Sequence, residues 1–315
     1  MEVRLSRRLG VPIANGSLLN HFFTKTVWSE LLRTGHCKLY DAIVNRYLLP
    51  NFESVGAPTN RTILAMLEEF MSSYYRNEYF FCNCLLRYYY NKFANISSQL
   101  SAMVQIKVAG SRADFVFING KAVVYEIKTD QDTIERLFSQ VEDYYKAFEY
   151  VYVVCGKRLL AEIKMVLRQT DVGILLLDED GTIVTIKSAR RHSQNISADV
   201  IFSMLYRRER DHILQTVYGK VPEVAATHYV KESRSWFVKI PLDTIRKLFN
   251  VVLKDRPVNN GAIRHMNPTI LSSLAYFWRT GEKLMPQLIQ FLDSPYQRMP
   301  KRRRQLNEVK VLPLF

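Results

Sequence analysis

The chain has 315 residues, 48% of them apolar, and a formal net charge of +14. That length and apolar content suffice for a sizeable core and for two or three subdomains. No apolar run approaches membrane-spanning length and no secretory leader pattern opens the chain. A soluble, cytoplasmic protein with no membrane partner is therefore expected. The positive excess points to a polyanionic partner, most simply nucleic acid.

In chain order, residues 1–60 read as a helical N-terminal region. Trp28, Leu31 and Leu32, then Leu39, Ile43, Tyr47 and Leu48, supply apolar faces, broken near Gly35 and before Pro50. This region reads equally as a cover or as a partner-binding element. Thr59 or Asn60 is placed to cap the next helix. His21 and His36 are isolated and read as structural. From 61 to about 93 the chain is helical and rich in tyrosine and phenylalanine, a pattern that favours core packing over base stacking. A loop follows at 95–98, and 104–108 is a first strand.

The segment from Arg112 to Tyr144 organises the rest. Asp114 heads an apolar strand, Asn119-Gly120 marks a turn, and a second apolar strand ends in Glu126-Ile127-Lys128. Side chains alternate across a strand, so Glu126 and Lys128 share a face. A two-residue turn on Asn119-Gly120 would pair Asp114 with Tyr125 and send it to the other face. A three-residue loop with Gly120 left-handed instead pairs Phe117 with Lys121 and sets Asp114 opposite Val124, diagonal to Glu126. That bulged turn, with all three charged groups on one face, is the expectation. Two carboxylates so placed suit Mg²⁺ or Mn²⁺, and a neighbouring lysine suits a metal-bound water or a phosphate. Downstream, Ile134, Leu137, Phe138, Val141, Tyr145 and Phe148 form a buried helical stripe. Asp132, Arg136, Gln140 and Tyr144 follow one another along a second face.

These residues resemble the PD-(D/E)XK nuclease superfamily. Its acid and acid-x-Lys motifs match Asp114 and Glu126-Ile127-Lys128, and the RecB-type glutamine and tyrosine match Gln140 and Tyr144. The likeness is greatest to a poorly characterised bacterial and phage branch with RNEY and EIK signatures, and runs over roughly 76–156. Ala113 stands where the family has proline. The resemblance implies Asp114, Glu126, the carbonyl of Ile127 and the helical Glu78 as metal ligands. It implies Lys128 as the water-positioning group, with Gln140 and Tyr144 orienting substrate or Lys128. A Mg²⁺-dependent deoxyribonuclease, endo- or exonucleolytic, is then the expected function. Arg136 reads equally as a phosphate contact or as a member of a structural ion pair. A nucleic-acid-binding protein that keeps the fold without turnover is the alternative.

After the helix, 150–155 reads as a buried strand, 157–168 as a basic helix, and 173–177 with 182–186 as a hairpin about Asp178-Glu179-Asp180-Gly181. Gly156-Lys157 lacks the other residues of a phosphate loop, which leaves no ATPase motif. The expected architecture is α/β, a mixed sheet flanked by helices: a nuclease core at 61–188 with a basic, mainly helical C-terminal domain at 189–315. That last segment carries Arg190, Arg191, Arg302 and Arg303, which read as contacts to a nucleic-acid backbone. Trp236 and Trp278 read as anchors of local cores. The four cysteines have no metal-site spacing and read as free thiols without an iron–sulfur cluster. A protein partner or a second copy of the chain stays open.

Overall fold

A computed structural model describes residues 17–45, 58–93, 101–258, 266, 269–277 and 281–297. Arg302, Arg303, Trp278, Tyr47, Leu48, Pro50 and the expected loop at 95–98 lie outside the described residues. The fold is a mixed α/β structure built on one six-stranded sheet. The strands are β1 (Ser101–Val108), β2 (Ser111–Asn119), β3 (Lys121–Lys128), β4 (Tyr150–Cys155), β5 (Gly173–Leu177) and β6 (Ile183–Lys187). They lie side by side in chain order, with β3, β4 and β5 parallel and the other pairs antiparallel. The hairpins account for the antiparallel pairs. Helices α6 (Leu137–Tyr145) and α7 (Lys157–Val166) make the two parallel crossovers.

The residues of β2 and β3 alternate between two cores, as a sheet buried on both sides requires. Phe115, Phe117, Val123, Tyr125 and Ile127 face one, and Val116, Ile118, Ala122 and Val124 the other. On the first side pack α1 (Ser17–Phe22), α2 (Lys25–Thr34), α3 (Lys38–Ile43), α4 (Asn60–Tyr74) and α5 (Glu78–Phe93). They are joined there by α12 (Ser272–Phe277) and α13 (Gly281–Asp293) from the far end of the chain. On the second side lie α6 and α7 with α8 (Ala198–Met204), α9 (Arg207–Tyr218), α10 (Ala226–Phe237) and α11 (Leu242–Lys254). The segment expected to form one C-terminal domain is therefore divided. Its first part covers one face of the sheet, and its last part packs with the N-terminal helices on the opposite face. Asn60 illustrates the joint: it caps nothing, but its buried amide accepts from the Tyr40 hydroxyl and donates to the Phe291 carbonyl. Thr59 is the cap, accepting the Thr62 N–H.

Two further expectations are corrected. The helical run from 61 breaks at Tyr75-Arg76-Asn77, where Asn77 Oδ1 accepts the Phe80 N–H and starts α5 afresh at Glu78. Helix α6 begins only at Leu137, so Asp132 and Arg136 lie in the loop before it and Phe138 is 51% exposed instead of buried. Asp132 bends that loop by accepting both the N–H and the hydroxyl of Thr129. The aromatics of α5 lie in the core or pack against it: Phe80 and Phe81 are buried, while the half-buried Tyr79 stacks on Phe23 and the half-buried Tyr89 on Phe117.

A two-residue turn joins β1 and β2, and within it Ala109 has φ +51° beside Gly110. An alanine there crowds its Cβ against the backbone. Ala109→Gly should raise stability by about 0.5–1 kcal/mol, strain relief exceeding the entropy cost of glycine. Urea unfolding checks this, and a lower midpoint would count against the strain.

Candidate active site

The turn between β2 and β3 is tighter than either form weighed from the sequence. Asn119 pairs with Lys121 and Gly120 alone sits at the tip, with φ +72°. Phe117 pairs with Val123, so the expected register is off by two residues. An even slip preserves the face, so Asp114, Glu126 and Lys128 still point to one side. The ladder ends at Phe115 and Tyr125. Just past that pair, the Asp114 carboxylate accepts the Ile127 N–H at 2.7 Å, and the strands part around it.

Glu126 and Lys128 are 2% and 6% exposed. Such burial of charge is rare without partners, and both have them. Lys128 Nζ donates to Glu126 Oε1 at 3.0 Å and to Gln140 Oε1 at 2.8 Å. The Tyr144 hydroxyl lies 2.5 Å from Glu126 Oε2 and 2.9 Å from the Arg112 carbonyl. Gln140 and Tyr144 thus hold the lysine and the glutamate from one turn of α6 to the next. Glu78, first in α5, stands at the cleft mouth. It meets Asp114 through Gln105, whose amide nitrogen donates to a Glu78 oxygen and, at 3.3 Å, to Asp114 Oδ1.

The cleft has two chambers, of about 680 and about 610 Å³, which share Glu78, Gln105, Asp114, Arg136 and Gln140. Lys107 and Arg112 line the second, and Phe23, Tyr79 and Phe277 line the first. Lys107, Arg112 and Arg136 are exposed and form no ion pair among the described residues. Arg190 and Arg191, by contrast, pair with Asp171 and Glu149. Sequence reasoning overlooked Gln105, Lys107 and Arg112. Their signal lies in the β1–β2 register, which sets Val104 against Phe115 and Ile106 against Ala113 and so brings Gln105 alongside Asp114.

Residues 71–269, well over half the chain, match the family described as bacteriophage P4 protein cII. The chain belongs to that cII family. The match takes in the whole sheet and every carboxylate of the cleft. Over 76 residues the chain is also 32% identical to protein cII of Enterobacteria phage P4, an alignment spanning 24% of this chain and 28% of that protein. No solved structure matches it.

The electrostatics of this cII-family cleft are one-sided. Burial, then the charges of Glu126 and Glu78, push the Asp114 carboxyl up to about 8 against the pull of the Ile127 N–H and Lys128. Burial also raises the Glu78 carboxyl, offset by its bond from Gln105. Lys128 is the one cation within ion-pair distance of these carboxylates among the described residues. Oxygen donors with mutual repulsion left over fit a hard divalent cation. Among the described residues no three His, Cys, Asp or Glu side chains already converge into a cage. At this cleft the Gln105 amide stands between two of the oxygens. All four cysteines are free thiols.

Burial and then Glu126 push the Tyr144 hydroxyl well up, which keeps it a proton donor. Tyr144→Phe should destabilise the protein by about 1.5–3 kcal/mol, because a buried carboxylate loses a donor. A melt in EDTA measures it, and an unchanged midpoint would mean that water replaces the hydroxyl.

Proposed function

We propose that this cII-family protein is a metal-dependent nuclease of the PD-(D/E)XK type that hydrolyses phosphodiester bonds, with DNA as substrate, in the cytoplasm. The observation that carries the reading is the meeting of Asp114, Glu126 and a doubly clamped Lys128 where two strands part inside a cleft. Asp114, Glu126, the Ile127 carbonyl and Glu78 would hold Mg²⁺ or Mn²⁺, which when bound would polarise the phosphate and acidify a water. Lys128 has three N–H donors and spends two on Glu126 and Gln140, so one is left for a phosphate oxygen or the attacking water. Gln140 fixes the direction of that ammonium, and Tyr144 fixes the Glu126 carboxylate. Lys107, Arg112 and Arg136, without a carboxylate partner among the described residues, offer a track for the phosphates on either side of the scissile bond.

The test is cleavage of linear and circular DNA, single- and double-stranded, with Mg²⁺, Mn²⁺ or EDTA. Metal-dependent cutting that is lost in Asp114→Asn and Lys128→Met supports the reading, and the circular substrates separate endo- from exonuclease. Tight, salt-sensitive binding with no cutting on any substrate would favour a binding protein.

A further inference from the structure

Gln105 is the anomaly of this sheet. It lies in the middle of β1 with φ +55°, a left-handed conformation that a non-glycine strand residue rarely adopts. Neighbours on both sides keep their places in the ladder with β2, so the distortion is confined to this residue. Local strain of this kind persists only where the surroundings enforce it. Here its effect is plain: the side chain reaches over the N-terminal part of β2, and one amide nitrogen donates to both Glu78 and Asp114. The Arg112 guanidinium in turn donates to the Gln105 carbonyl at 3.3 Å and braces the turned backbone. Two carboxylates from separate elements, α5 and β2, are thereby joined by a neutral donor.

Resting on the nuclease reading, we propose that the Gln105 amide holds the position a divalent cation takes between Glu78 and Asp114, and must turn away for the cation to enter. The amide carries two N–H groups and can serve two acceptors, as the cation would, but without its charge. It keeps Glu78 directed at Asp114 when the cation is absent. In return, binding of the cation is weakened by the two bonds that it must break. Gln105 is thus a positioning residue that sets the affinity and completeness of the site, and it explains why the carboxylates do not stand as a ready cage.

The test is Mn²⁺ binding to the full chain without nucleic acid, followed by the paramagnetic resonance of free Mn²⁺ and by calorimetry. Gln105→Ala removes the amide. Gln105→Asn keeps a residue tolerant of positive φ but is one carbon too short to bridge, which guards against a folding failure. Both should bind Mn²⁺ about tenfold more tightly than the wild type, the equivalent of losing competing hydrogen bonds to charged groups. The gain should vanish when Glu78→Gln is added. Both variants should also melt lower in EDTA, and the deficit should close with Mn²⁺. Binding that is unchanged or weaker in both overturns the placeholder role and leaves the metal reading standing, since weaker binding would make Gln105 a ligand. No Mn²⁺ binding by wild type or variants overturns both. Binding by the variants alone is the strongest support.

Discussion

Replacing Asp114 with asparagine should abolish metal-dependent cleavage while making the cation-free protein more stable at neutral pH. The amide oxygen can still accept the Ile127 N–H, so the strands stay parted as before. What is lost is the negative charge, and with it the hold on the divalent cation that would stabilise the reacting phosphate, an effect of about 10²–10³-fold or more on kcat. The stability effect has the opposite sign. In the unfolded chain the carboxyl ionises at its ordinary 3.8, whereas in the fold burial, Glu126 and Glu78 push it up to about 8. Between those values the folded state holds a proton that the unfolded state has released. Stability is therefore full below pH 4, falls as the pH rises towards 8, and is flat above. At pH 7 this opposes folding by on the order of 2–3 kcal/mol once the open side of the cleft is allowed for. Asp114→Asn should remove most of that decline, and Mg²⁺ should raise the wild-type midpoint more at pH 8 than at pH 5. Thermal melts across pH in EDTA decide it, since parallel profiles for wild type and variant would show that Asp114 is not held protonated.

The second large effect is expected at Lys128. Lys128→Met preserves volume in a site where the lysine side chain is 8% exposed, but leaves Glu126 buried with Tyr144 as its remaining partner among the described residues. Breaking a buried pair from one side typically costs about 3–5 kcal/mol. The variant should therefore melt well below wild type in EDTA and recover much of the difference with Mn²⁺, which then faces a less neutralised Glu126. Cleavage should nevertheless remain down by about 10²–10³-fold, because no N–H is left for phosphate or water. Lys128→Arg should not rescue it: a planar fork cannot replace a point charge seated between Glu126 and Gln140. Cation-bound Lys128→Met cutting at the wild-type rate would remove the lysine from the reaction.

Strand alternation made the central feature legible in the sequence. A period of two fixed Glu126 and Lys128 on one face, and a turn of the right parity brought Asp114 to join them. The register was off by two residues, and the conclusion survived because only an odd slip changes the face. The 3.6-residue period likewise identified Gln140 and Tyr144, four apart on α6, although the helix starts later than its apolar pattern suggested. What the sequence could not contain is contact between segments remote along the chain. Gln105 beside Asp114 depends on the β1–β2 register, and Glu78 beside Gln105 depends on a helix restarted by Asn77. Charge runs showed where the arginines are, but only packing decided which of them were neutralised. Arg190 and Arg191 meet carboxylates in the fold, while Arg136 beside the cleft meets none among the described residues. The same holds for the C-terminal segment, whose helices were foreseen but whose division between the two faces of the sheet was not. Local periodicity sets which side of an element is apolar, and the pairing of those sides is settled only when the whole core closes.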